Sequence, residues 1–146
     1  MEIVNREARH NYFILDEIEC GIALKGTEIK SIRVGKANIK DSYAIIKKNE
    51  VFLLNMFISP YEQGNIFNHQ ETRSRKLLLH KNEIFKLDNK VKLDGNTLIP
   101  LKVYFVKGKV KILLGVCKGK KNYDKRETIK ERDIKRDIEK KIKERY

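Results

Sequence analysis

The side chains that could do chemistry are few and scattered. His10, His69 and His80 are the histidines of the 146-residue chain, and a catalytic or metal-ligating role would need partners at fixed offsets from them. No H-E-x-x-H, C-x-x-C or G-x-S-x-G occurs, and no Walker-type glycine loop is present to cradle a phosphate. Cys20 and Cys117 lie far apart in sequence, which suggests neither a disulfide framework nor a zinc site but two buried or half-exposed thiols in a reducing compartment. Glu19, Glu28 and Asp41 could gather around magnesium in a nuclease. Nothing in their spacing points there, and surface or helix-capping carboxylates are the plainer reading. The chain is therefore expected not to be an enzyme and to carry no metal or other cofactor.

Positive charge is what the chain has in excess. It holds 33 Lys and Arg against 20 Asp and Glu, a formal net charge of +13. Residues 118–146 contribute about +6 of this and the rest of the chain about +7. The excess is thus shared between tail and body, and the body should itself present a basic face. Such a surface suits a polyanion, most often nucleic acid. A protein that is merely rich in Lys and Ile is the bland alternative. No apolar run approaches the roughly 20 residues that a membrane helix requires, and the start, "MEIVNREARH", has no signal-peptide core. A cytosolic protein is expected.

The elements that must position these charges can be read from periodicity. "NYFILDEIECGIAL" is rich in β-branched and aromatic residues and reads as a strand, bending near Gly21. "KGTEIKSIRVGKANI" reads as a two-turn helix with Thr27 as its cap and Glu28, Lys30 and Arg33 on its outer face. "SYAIIKKNEVFLLNMFISP" carries a hairpin signal, its second strand stopped by Pro60. The polar stretch "YEQGNIFNHQETRSR" reads as a long loop. Ile84, Leu87 and Val91 then fall at helical spacing, with Asn82 as a cap and Gly95 as a stop. In "TLIPLKVYFVKGKVKILLGVCKG" apolar residues alternate with lysines on both sides of Lys107–Gly108, giving a hairpin with one core face and one lysine-bearing face. Five or six strands with two interrupting helices fit a mainly β fold, a small partly open barrel of the OB class with two or three added helices. An SH3-like barrel or a small sandwich fits the same pattern.

Composition breaks at Lys118–Gly119. This places the barrel over 1–118 and a basic tail over 119–146. The tail's aliphatics are Ile129, Ile134, Ile138 and Ile142, too few to offset the entropy of ordering the segment. Glu131/Lys135, Asp137/Lys141 and Glu139/Lys143 are favourable i,i+4 pairs, while an isolated helix of this kind is marginal in water. A tail disordered alone and helical when docked is expected.

Four stretches in order carry a resemblance. "NREARHNYFI", "ECGIALKGTEIKSIRVGKANIKDSY", "RSRKLLLHKNEI" and "GVCKGKKNYDKRETIKERD" occur in the order and spacing of the bacterial SsrA-binding protein family, SmpB. The resemblance runs from Asn5 to about Asp137. It implies an OB-type barrel, without enzymatic activity, that binds transfer-messenger RNA (tmRNA) and escorts it to ribosomes stalled on messages lacking a stop codon. The tail is then expected to occupy the vacant decoding centre and mRNA path of the small subunit.

Matched motif by motif, the resemblance implies two surfaces. The first would meet the tRNA-like domain of tmRNA through Asn5, Arg6, Tyr12, Glu19, Lys30, Arg33, Lys36, Arg73, Arg75, Lys76, Leu78 and His80. The arginines and lysines would supply phosphate contacts, and Leu78 and His80 would pack on bases or sugars. Glu19 could accept from base or 2′-hydroxyl donors, as a lysine cannot. The second surface is the tail: Lys120, Lys121, Lys125, Arg126, Lys130, Arg132 and Arg136 on ribosomal RNA, Tyr123 stacking on a base, and Asp124 as a helix-start carboxylate. Glu7 departs from the family, which commonly has a basic residue there. The partners expected are thus tmRNA and the ribosome, with no membrane, and the protein is expected as a monomer. A generic OB single-strand binder of cold-shock type would instead need exposed aromatics for stacking, for which Tyr104 and Phe57 are the few candidates.

Overall fold

The computed structural model describes residues 2–61 and 68–119. Strands β1 (Glu2–Val4), β2 (Tyr12–Ile22), β3 (Ala37–Asn38), β4 (Tyr43–Lys47), β5 (Glu50–Leu54), β6 (Phe57–Ile58), β7 (Arg75–Leu78), β8 (Thr97–Val106) and β9 (Lys109–Gly119) are interrupted by helices α1 (Arg6–Asn11), α2 (Gly26–Arg33) and α3 (Lys81–Asp94). The main sheet runs β1-β8-β4-β5-β7-β2-β9, and β8 also pairs with β9, so six strands return on themselves as an antiparallel barrel with β1 added outside. The β4–β8 seam holds one register pair, Ala44 with Leu98; this is the partly open side of an OB-like barrel. β3 and β6 form a small separate ladder.

Local sequence explains the joints. The β4–β5 and β8–β9 hairpins turn on Lys48–Asn49 and Lys107–Gly108, whose φ values of 51°, 61°, 50° and 80° are all left-handed. Positive φ at both turn positions matches the strand twist, and Asn and Gly tolerate it at least cost. The core holds Ile22, Ile32, Val51, Leu53, Leu77, Leu98, Val103, Ile112 and Leu114. A second cluster of Ala8, Ile99, Leu101 and Cys117 lies under α1, with Tyr12, Ile14 and Leu113 against it. It forms because register shifts between Ile14 and Asp16 and between Pro100 and Lys102 change which residues face outward. Both thiols are buried, Cys20 in the main core and Cys117 beneath α1. Burial pushes their pKa values up to about 12 and about 11.

Gly115 makes the second cluster possible. A Cβ there would stand 2.8 Å from Leu101 Cδ1, and Leu101 is itself buried. Gly115→Ala is expected to destabilise by about 1–3 kcal/mol through overpacking. Chemical denaturation of the two proteins measures it, and an unchanged midpoint would contradict it.

Several expectations are corrected. Thr27 is not the helix cap, since α2 begins at Gly26 with Lys25 before it, and Lys25 N–H donates to Glu28 Oε1 at 2.8 Å. Nor is Asn82 the cap of α3. His80 holds that place, its N–H donating to Glu83 Oε1 at 2.9 Å, and Gly95 closes the helix at φ 68°. In both helices a Glu three residues in does the capping. A register irregularity not expected from the sequence falls at Leu15 in β2. The strand before Pro60 divides at Asn55, φ 64°. Four short elements, β1, α1, β3 and β7, have no counterpart in the periodicity reading. The expected tail lies outside the described residues, apart from Gly119, which closes β9. Among the described residues no helix is long and apolar enough to cross a membrane.

Candidate nucleic-acid interface

One buried ion cluster fixes the frame. Glu28, on the inner side of α2, is 0% exposed. Arg75 Nε donates to its Oε2 at 2.7 Å, and Arg73 Nε and Nη2 donate to Oε2 and Oε1 at 2.9 and 2.6 Å. Arg75 continues to the carbonyls of Met56 (2.6 Å) and Glu71 (3.1 Å). His69 joins the frame. Its Nε2–H donates to Ile58 O at 2.9 Å, leaving Nδ1 to accept from the Thr27 hydroxyl, also at 2.9 Å. Burial alone would raise the Glu28 pKa, but hydrogen bonds from Arg73, the Lys25 N–H and Arg75 outweigh it and hold the carboxyl below its ordinary 4.5.

Burial alters two of the assigned contacts. Arg75 is fully buried, so its guanidinium faces Glu28 and carbonyls and not a phosphate. Asn5 is buried as well, its Nδ2 donating to Pro100 O at 3.0 Å and to Ile39 O at 3.4 Å. Both hold the scaffold. Glu28, expected on the outer face of α2, turns inward for the same reason: two arginines meet it there.

The other assigned residues stand on two surfaces. On α2 and the chain after it, Lys30 lies over the Tyr61 ring at 5.4 Å and Arg33 over the Phe105 ring at 4.9 Å. Lys36 is exposed after Gly35, and Arg73, bonded to Glu28 of the same helix, is partly exposed. The outer face of the barrel carries the rest. Lys76 and Leu78 point out from β7, Lys76 paired with Glu50 at 2.7 Å and Leu78 50% exposed. Glu19 points out from β2 and accepts from the Tyr104 hydroxyl of β8 at 2.6 Å. Register ties them together: Leu78 pairs with Gly21, Gly21 with Lys111, Lys111 with Tyr104, and Tyr104 with Glu2. Paired residues share a face, so this row crosses four strands beyond Leu78. Arg6 is exposed at the start of α1, and Tyr12 is half-buried beneath it. His80 sits exposed at the head of α3.

Departing Glu7 pairs with Lys40 at 3.5 Å. It also lines a cavity of about 260 Å³ with Asn11, Tyr12, Asp41 and Tyr43. Two carboxylates in that lining make it a poor phosphate site. Among the described residues, no group of three or more His, Cys, Asp or Glu could hold a metal ion.

The sequence reading missed Lys111 and the bond between Tyr104 and Glu19. The alternation around Lys107–Gly108 does place Lys102, Tyr104, Lys109 and Lys111 on one face. No pattern could show that β2 lies beside them, because Glu19 and Tyr104 are 85 residues apart in the chain.

The fold has known relatives. The family model for SmpB protein matches residues 2–144. The SsrA-binding protein of Staphylococcus haemolyticus is 60% identical over 142 residues, covering 97% of this chain and 91% of its own. That of Clostridium botulinum is 59% identical over 141 residues, covering 97% and 90%. A solved structure described as "tmRNA-SmpB: a journey to the center of the bacterial ribosome" aligns with a TM-score of 0.69 and 50% identity, over 82% of this chain and 84% of that one. Family model and relatives span nearly the whole sequence, and the chain belongs to the SmpB family.

Proposed function

We propose that this protein binds the tRNA-like domain of tmRNA through the barrel and delivers it to stalled ribosomes in the cytoplasm. The relatives' name, SsrA-binding protein, and the ribosomal tmRNA setting of the aligned structure support this reading. On the molecule itself, the observation that carries it is the outer barrel face, where an oriented carboxylate stands among lysines. A surface made only for phosphates would have no use for that acceptor; a structured RNA offers it amino, imino and 2′-hydroxyl donors. The exposed cations of the α2 surface, Lys30, Arg33 and Lys36, with Arg73, supply phosphate contacts. The Lys120, Lys121, Lys125 and Arg126 block, with Tyr123, engages ribosomal RNA in the decoding centre while the residues to Arg136 follow the mRNA path. Catalysis has no part in this role.

Binding of the full-length protein to the tRNA-like domain, over a salt series with ordinary tRNA and unstructured RNA as competitors, tests the proposal. Tight binding that survives both competitors is expected. Glu19→Ala should weaken it by about tenfold or more, the cost of a charge-assisted bond, with an unchanged melting temperature. Affinity that collapses with salt and treats the three RNAs alike would mean only a cationic protein finding phosphates.

A further inference from the structure

We infer that Tyr104 is a positioning residue that aims the Glu19 carboxylate at the Watson–Crick edge of a guanine resting on Leu78. This rests on the proposed function and specifies what the barrel face reads. Glu19 is exposed, yet its Oε2 is fixed by the Tyr104 hydroxyl across β9 at 2.6 Å. Among the described residues its Oε1 accepts no hydrogen bond. An ionised carboxylate only accepts. Guanine alone among the four bases presents two adjacent donors on that edge, N1–H and the N2 amine. Adenine, cytosine and uracil each present one donor beside an acceptor, which would face the second carboxylate oxygen unfavourably. Oε2 retains a lone pair after accepting from Tyr104, so both oxygens can serve the guanine.

The surroundings match a nucleotide in size and polarity. Gly21, two residues along β2 on the same face, has no side chain, and Leu78 leans into that space, within 3.3 Å of where a Cβ would be. Its half-exposed side chain offers an apolar platform for the face of a base. Lys111, paired with both Gly21 and Tyr104, stands where a neighbouring phosphate would be neutralised. Glu2, opposite Tyr104, is itself drawn to Lys102 at 3.7 Å, and Glu50, on the strand beside Leu78, is held by Lys76 at 2.7 Å. Four strands that meet only in the fold build the subsite.

Inosine lacks the N2 amine, so it reads this contact directly. The tRNA-like domain is transcribed with sparse inosine phosphorothioate, bound to the full-length protein, and the bound fraction is cleaved with iodine. Interference is expected at one guanosine or a few. It should vanish with Glu19→Ala, and should fall with Tyr104→Phe, which should also weaken binding by roughly threefold or more at unchanged melting temperature. A structural role for the hydroxyl would lower stability and leave the inosine pattern intact. Absence of guanosine interference, or a pattern identical in all three proteins, would overturn the inference. Should ordinary tRNA compete as well as the tRNA-like domain, the tmRNA reading fails separately, and the same interference assay on ordinary tRNA decides the guanine contact.

Discussion

Glu28→Ala is expected to cost about 3–5 kcal/mol, enough to leave much of the population unfolded, because it strands the buried guanidinium of Arg75 without its counter-charge. Arg75 is 0% exposed and bonded to Glu28 at 2.7 Å. Arg73 loses both of its bonds to the carboxylate at the same time. The cluster joins α2 to β7 and to the chain preceding it, so its loss should also release Lys30, Arg33 and Arg73 from their common surface. Denaturant unfolding measures the change; a loss below about 1 kcal/mol would mean that water replaces the carboxylate.

The same carboxyl sets an acid limit. Its folded pKa is depressed, so its contribution is fully present above the ordinary value of 4.5 and is lost as pH falls through the lower folded value. Stability of the wild type should therefore decline below about pH 4.5 more steeply than that of a Glu28→Gln variant, compared at matched salt.

The second large effect concerns the tail. A chain ending at Gly119, the last residue of β9, is expected to keep its melting temperature and to hold the tRNA-like domain within about twofold of wild type, as distant independent sites do. It should fail altogether to support tagging on stalled ribosomes, because the basic block from Lys120 to Arg136 is the part proposed to enter the decoding centre. Loss of RNA affinity on truncation would mean that barrel and tail hold the RNA jointly.

How much of this could be read beforehand depends on range. The β8–β9 hairpin was legible because its alternation and its Lys-Gly turn are local, and α3 because Ile84, Leu87 and Val91 repeat at helical spacing. α1 was not, since its six residues bury only Ala8 and no period can show in one turn and a half. The inward turn of Glu28 escaped for another reason. A charged residue on a short helix is normally solvated, and only the arrival of Arg73 and Arg75 from 45 and 47 residues away makes burial tolerable. For the candidate site, residue identities came from motifs, whereas the division between contact and scaffold needed coordinates. Arg75 and Arg73 look alike in "RSRK"; one faces inward and the other stays partly in solvent.

The two thiols have a practical corollary. Each lies in a different cluster, Cys20 in the barrel interior and Cys117 in the smaller one that Ala8 of α1 shares with Ile99 and Leu101. A thiol must reach solvent and ionise before it can be alkylated, and both are held far from ionising while covered. The chain thus contains two internal clocks. The labelling rate of Cys117 times the opening of the small cluster that includes α1, whereas that of Cys20 times the opening of the barrel, and their ratio separates local from global opening without any added probe.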